Sequence, residues 1–275
     1  MTFKNKQVNE TKINPSDPRL VAFERLLNIM DDLRAKCPWD RKQTMETLRH
    51  LTIEETYELS DAILKNDKTE IKKEIGDILL HLVFYAKIGS ETNDFNITDV
   101  INSLCEKMIF RHPHIYSDVK VDSAEEVTEN WEKLKQKEGN KGALSGVPSS
   151  MPSLLKALRI QDKARAIGFD WEDPNQVWEK VQEELAELQV EVAANHQQKL
   201  ESEFGDVFFA LINYARFLKV NPEDALEKTN KKFISRFNYM EQKILVQGKA
   251  LADCSLAEMD VFWNEAKKLE NKCLL

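Results

Sequence analysis

The chain has 275 residues, enough for one large or two small domains, and its 42% hydrophobic content is enough to fill their cores. With 39 Lys plus Arg against 47 Asp plus Glu the net charge is −8, so no broad basic surface for nucleic acid is expected, and a phosphate ligand would have to be met by a local cluster of cations. The opening MTFKNKQVNE has no apolar h-region and the apolar runs fall far short of the roughly 20 residues that span a bilayer; no membrane association and a cytoplasmic location are the expectations.

Only eight Gly and eight Pro occur and helical spacing recurs throughout, so the chain is expected to be all-α. The stretch IEETYELSDAILKNDKTEIKKEIGD places Glu54, Glu55 and Glu58 on one expected helix and Glu74 and Asp77 on the next. Asp67 with Glu70 resembles a capping box, so the first helix should stop near Asn66 and the second start at Asp67, giving an antiparallel pair. After Asp77 comes ILLHLVFYA, apolar nearly all round, as a helix in the middle of a bundle would be. RHPHIY (111–116) carries His112 and His114 without a ligand cluster and is taken as a structural turn. Cys37, Cys105, Cys254 and Cys273 lack CxxC spacing, which argues for buried or incidental thiols rather than zinc ligands or disulfides.

KEGNKGALSGVPSSMPS (137–153) gathers turn formers between two helical regions and marks a linker. Beyond it the acidic pattern returns. EETYE (54–58) matches EELAE (183–187) and EIGD (74–77) matches EFGD (203–206), each acid at an offset of 129. LLHLVFYAK (79–87) parallels FFALINYAR (208–216), and LRA (33–35) parallels ARA (164–166) at an offset of 131. Asn195 and Gln198 take a place similar to the Asp67 and Glu70 pair. The repeated unit is a whole domain: an N-terminal copy over 19–137, a linker over 138–153 and a C-terminal copy over 154–272, each of about four helices. Acids make up 47 of 275 residues, so five prescribed acids arise by chance at a given start with a probability on the order of 10⁻⁴. Solvated helix faces explain one such cluster; they do not explain two with the same internal spacing.

Glu55 and Glu58 share a helix face, as do Glu74 and Asp77. At 100° per residue Glu55 falls inside the stripe of Leu48, Leu51, Leu59 and Ala62, and Glu184 borders that of Val181, Leu185 and Leu188. The acids therefore sit at the edge of the core. Two carboxylates about 4 Å apart repel by roughly 4 kcal/mol at an effective dielectric near 20, and a bound cation removes that cost. Oxygen ligands without Cys or His favour a hard ion, Mg²⁺ or Mn²⁺, and carboxylate-bound Mg²⁺ usually serves a phosphate substrate. A ferritin-like di-iron site needs Glu-x-x-His, whereas Asp77 and Asp206 stand three residues after Glu74 and Glu203.

Glu-Glu-x-x-Glu followed by Glu-x-x-Asp, present twice, together with CPWD (37–40), RHPHIY, SGVPSSMPSLLKA (145–157) and GFDW (168–171), resembles the MazG nucleoside triphosphate pyrophosphohydrolases in their two-domain bacterial form. The resemblance implies an all-α pyrophosphatase fold, a homodimer, and Mg²⁺-dependent hydrolysis of nucleoside triphosphates to the monophosphate and pyrophosphate, with water attacking the α-phosphorus. It implies that Glu184, Glu187, Glu203 and Asp206 hold Mg²⁺ and that Lys199, Lys232, Arg236 and Trp263 contact the nucleotide. Lys232 and Arg236, four apart, share a helix face and suit phosphate oxygens, and Trp263 offers a flat surface to a base. Glu183 or Glu187 is the candidate general base.

The N-terminal copy keeps Glu55, Glu58, Glu74 and Asp77 as a second, weaker metal site. Lys107, Arg111 and Trp131 parallel Lys232, Arg236 and Trp263, but Glu70 stands where Lys199 would be. The C-terminal copy is therefore the expected main active site. A house-cleaning pyrophosphatase for non-standard nucleotides and a non-catalytic helical interaction protein are the alternative readings.

Overall fold

A computed structural model of the chain describes residues 14–117, 119–123, 126, 127, 130, 131, 134 and 142–273, the last three by their backbone alone. Among the described residues there is no strand. They fall into two compact units, one within Met1–Lys135 and one within Gln136–Leu275. The first unit contains α1 (Pro18–Lys36), a 3₁₀ turn at Asp40–Lys42, α2 (Met45–Leu64), α3 (Lys68–Glu91), α4 (Ile97–Arg111) and the single turn α5 (Pro113–Tyr116). The second contains α6 (Ser153–Ala166), α7 (Pro174–Ala194), α8 (Gln197–Phe217), α9 (Pro222–Val246), a 3₁₀ turn at Leu251–Asp253 and α10 (Leu256–Cys273). The chain is all-α, and α6 to α9 repeat α1 to α4.

In each unit the two acid-bearing helices form a hairpin, α2 on α3 and α7 on α8, with α1 or α6 packed on its second helix. The turn of each hairpin follows from its residues. Asn66 and Asn195, 129 positions apart, both take the left-handed conformation at φ 55°, which asparagine tolerates better than most residues with a Cβ. Asp67 then caps α3, accepting from the Thr69 and Glu70 amides at 3.0 and 3.2 Å. The second hairpin departs from expectation here. Asn195 is the C-cap of α7, and α8 starts after His196, which makes no side-chain cap because its ring meets Glu191 instead, at 3.1 Å.

The core of the first unit is Met30, Leu48, Val83 and Phe84, with Leu51 and Leu80 packed against it. In the second, Val177 and Val181 of α7, Val207, Ala210 and Ile212 of α8, and Met240 and Ile244 of α9 are buried. Helices α3 and α8 are not enclosed on every side as their composition suggests. Ile75, Leu79 and Leu82 are exposed on α3, and Phe204, Phe208 and Leu211 are exposed on α8. These triplets match one to one at the offset of 129 and lie four and three residues apart, so each copy leaves the same apolar stripe uncovered.

His112 closes α4 and opens α5. Its Nδ1 lies 2.7 Å from the Met108 carbonyl and its ring packs edge-on against Trp131, a structural role. Of the linker, residues 138–141 lie outside the described residues, and 142–152 are turns and non-helical chain. Cys37, Cys105 and Cys254 are free thiols; the Cys273 side chain lies outside the described residues. Among the described residues no helix is long and apolar enough to cross a membrane.

Leu48 is fully buried at the foot of α2. Leu48→Ala is expected to cost about 3 kcal/mol, read as an earlier urea unfolding transition of the N-terminal unit with the transition of the C-terminal unit unmoved.

Candidate active site

The hairpins bring the acids together. In the first unit one carboxylate oxygen each of Glu55, Glu58 and Glu74 lie within 4.8 Å of one another, and in the second the same holds for Glu184, Glu187 and Glu203. Each cluster takes two residues from one helix and one from the next, so it exists only when the hairpin is folded. The oxygen-only donor set and spacing fit a hard divalent cation. In the first cluster the buried Glu74 Oε2 has no hydrogen-bond partner, an orphan lone pair that a cation would satisfy.

Asp77 and Asp206, expected as fourth ligands, lie outside these tight triads. Asp206 is exposed and Asp77 half-buried. Both remain near enough for their charge to act, Asp77 on Glu55 and Asp206 on Glu203.

The cations expected at the nucleotide are placed less directly. The Lys199 ammonium is 3.5 Å from Glu191, itself close enough to influence Glu203, so Lys199 stands at the rim of the C-terminal cluster. Lys232 is exposed on α9. Arg236 pairs with Glu270 at 2.7 Å and lies over the Trp263 ring, 5.8 Å from its centroid. The N-terminal copy repeats that contact, with Arg111 at 5.3 Å from the Trp131 centroid. Structure therefore joins Arg236 to Trp263, while engaging the arginine through Glu270 rather than through the acidic triad.

The family model for the MazG nucleotide pyrophosphohydrolase domain matches residues 43–116 and 172–240, one match in each unit. The chain belongs to the MazG family. A nucleoside triphosphate pyrophosphohydrolase/pyrophosphatase MazG of Thermotoga maritima is 42% identical, over 90% of this chain and 96% of its own. A nucleoside triphosphate pyrophosphohydrolase of Escherichia coli K12 is 38% identical, over 90% of this chain and 98% of its own. The protein YabN of Bacillus subtilis is 46% identical over 91% of this chain and 52% of its own length.

Two lysines that the motif does not include sit on the acids of this MazG chain. Lys73 Nζ lies 2.9 Å from Glu74 Oε1 and 3.7 Å from Glu70. Lys180 Nζ lies 2.8 Å from Glu184 Oε1 and 3.0 Å from Glu183. The two are not counterparts, because at the offset of 129 Lys73 matches Ser202 and Lys180 matches Leu51. What they share is a target: each pairs with the most buried glutamate of its cluster, Glu74 at 2% and Glu184 at 8% exposure. The Lys180–Glu184 spacing of four was a signal available in the sequence; the adjacent Lys73 and Glu74 gave none.

Electrostatics follow this division. The bond from Lys73 holds the Glu74 carboxyl below its ordinary range, despite burial. Bonds to Glu184 and Glu183 raise the Lys180 ammonium, keeping it charged. The glutamate across each hairpin is left without such help. Burial, then the neighbouring carboxylates of Glu74, Asp77 and Glu58, push Glu55 up; burial, then Glu187, Asp206, Glu184 and Glu191, push Glu203 up.

A carboxyl raised in the folded state opposes folding when ionised, and that penalty disappears as the pH falls through its raised range and the proton binds. With metal removed by chelation, Glu203→Gln is therefore expected to melt above the parent at pH 7. The gap should close below about pH 4, where both side chains are neutral; melting curves across that range provide the check.

Proposed function

We propose that the chain hydrolyses nucleoside triphosphates to the monophosphate and pyrophosphate at the C-terminal cluster. The observation that carries this reading is the meeting of Glu184, Glu187 and Glu203 across the α7–α8 hairpin, within 4.8 Å, in a MazG chain whose full-length relatives bear that activity in their names. Glu184, Glu187, Glu203 and, alongside, Asp206 would hold Mg²⁺ or Mn²⁺. Bound there, the ion would supply Lewis-acid polarisation of the phosphate and a lowered pKa for the attacking water.

The protein's own groups take the remaining roles. Lys199, at the rim of the cluster, and Lys232 and Arg236 on α9 neutralise phosphate oxygens and the charge that grows on departing pyrophosphate. Arg236 is held for this by Glu270 and the Trp263 ring. The exposed Glu187, or Glu183 beside it, takes the proton of the attacking water at a carboxylate oxygen; Lys180 on Glu183 favours Glu187. Attack at the α-phosphorus rests on the MazG resemblance. The N-terminal cluster is a second, weaker cation site, for Glu70 stands in place of Lys199.

The enzyme works as a cytoplasmic homodimer on this reading. Free thiols at Cys37, Cys105 and Cys254 fit a reducing compartment, and the exposed apolar stripes on α3 and α8 offer surface for pairing between chains.

Release of pyrophosphate from a panel of nucleoside triphosphates with Mg²⁺ tests the assignment. Glu203→Gln should lower kcat/KM by about 100-fold or more and Asp206→Asn by a similar factor, whereas Glu74→Gln should cost less than about tenfold. Equal losses from Glu74→Gln and Glu203→Gln would mean that the two copies work together. Light scattering coupled to gel filtration should give about twice the chain mass of 31.9 kDa; a strict monomer at micromolar concentration would rule out pairing between chains.

A further inference from the structure

Helix α3 carries two buried side-chain atoms that have no hydrogen-bond partner, Glu74 Oε2 and His81 Nδ1. Glu74 is 2% and His81 8% exposed, and leaving a buried polar group unmet costs about 1–3 kcal/mol. Lys73 takes the other Glu74 oxygen, Oε1, at 2.9 Å, so Oε2 is the one that waits for a partner. Glu74, Asp77 and His81 follow one another at spacings of three and four and share one face of α3, the face that brings Glu74 onto Glu55 and Glu58 of α2.

The hairpin sorts these acids into two levels. Glu58 and Glu74 each lie eight residues from Asn66 at the turn, and Glu55 and Asp77 each lie eleven, so in the antiparallel pair Glu55 stands opposite Asp77. His81 is one turn, about 6 Å, beyond Asp77. A helical side chain leans back over the turn before its own Cα, which carries the His81 ring toward Asp77 and the acids. The charges agree with that placement, for Asp77 acts on the His81 ring and also on the Glu55 carboxyl. Rotation about χ2, a soft torsion in histidine, turns a ring nitrogen to that side. The C-terminal copy has no such donor, because at the offset of 129 His81 matches Ala210.

We propose that the N-terminal copy holds a divalent transition-metal ion through Glu55, Asp77 and a ring nitrogen of His81, next to Glu58 and Glu74. The proposal rests on the reading of this cluster as a second cation site and not on the hydrolytic activity of the C-terminal copy. Its chemistry follows from the donor. Imidazole suits first-row transition ions, whereas Mg²⁺ keeps to oxygen and gives up its water reluctantly. The two copies therefore select different ions: oxygen donors alone at Glu184, Glu187 and Glu203, and oxygen with nitrogen in the N-terminal hairpin. An ion at the level of Glu55 and Asp77 ties α2 to α3, so it steadies the N-terminal unit in proportion to its affinity.

The test titrates Co²⁺ and Mg²⁺ separately into the full, untagged chain carrying Glu203→Gln, which weakens the C-terminal cluster so that the N-terminal one is read. Adding His81→Ala, the residue of the sister copy, should weaken Co²⁺ by about tenfold or more and change Mg²⁺ by less than about twofold. Pulsed electron paramagnetic resonance of Mn²⁺ bound to the Glu203→Gln chain should show coupling to an imidazole nitrogen, and His81→Ala should abolish it. His81→Gln fills most of the space of the ring without an imidazole and should act in the same direction if the alanine variant fails to fold. Equal losses for Co²⁺ and Mg²⁺, Co²⁺ affinity unchanged by a folded variant, or Mn²⁺ without nitrogen coupling overturns the site. Pyrophosphate release by the unsubstituted chain in Mg²⁺ is measured separately: its failure overturns the hydrolytic reading and leaves a His81-dependent ion site standing.

Discussion

Mutual repulsion of carboxylates held at a helix hairpin is the constraint around which this structure is arranged. Three glutamates per unit are brought within 4.8 Å by folding, and two like charges at about that distance cost several kcal/mol even at an effective dielectric near 20. The fold meets the cost unevenly. The most buried glutamate receives a lysine, while the one across the hairpin is pushed toward its neutral form. Such a cluster suits a divalent cation, whose charge would offset both the burial and the repulsion that raise the carboxyl.

The hairpin meets that constraint with rigid parts. A left-handed asparagine turns the chain in each copy, and the buried side chains of α2, α3, α7 and α8 set which faces meet. The acids lie where the buried stripe gives way to solvent, so their charges are partly desolvated yet open to a ligand. That border position also explains why the relative burial of the two key glutamates changes between copies. Glu55 and Glu203 are half-buried, Glu74 and Glu184 buried, so the deeper acid comes from α3 in one copy and from α7 in the other.

Duplication lets one copy serve as a control for the other. The acidic motif, the Asn turn, the apolar stripe and the Arg over Trp contact are retained in both. What differs lies around them: Glu70 against Lys199 at the rim, Lys73 against Lys180 on the acids, and Met30 with Phe84 against Gln161 with Asn213 beside α8. The N-terminal copy buries hydrocarbon, Met30 and Phe84, where the C-terminal copy buries the amides Gln161 and Asn213, and buried hydrocarbon favours stability.

The sequence by itself determined the helical class, the repeat and the acids, because each is written in spacing along one chain. Periodicity reports a helix face, Asp67 reports a helix start, and an offset of 129 reports duplication without knowledge of any contact. Tertiary structure decided what depends on the meeting of separate helices. It left Asp77 and Asp206 outside the tight triads, placed Lys73 and Lys180 on the acids, tied Arg236 to Glu270, and exposed stripes on α3 and α8 that composition alone suggested were enclosed. It also turned Gln161, an unremarked polar residue in a helix, into a buried acceptor without a partner. Helical spacing fixes direction around one axis; distance, burial and the pairing of charges are fixed only when a second helix is packed against it.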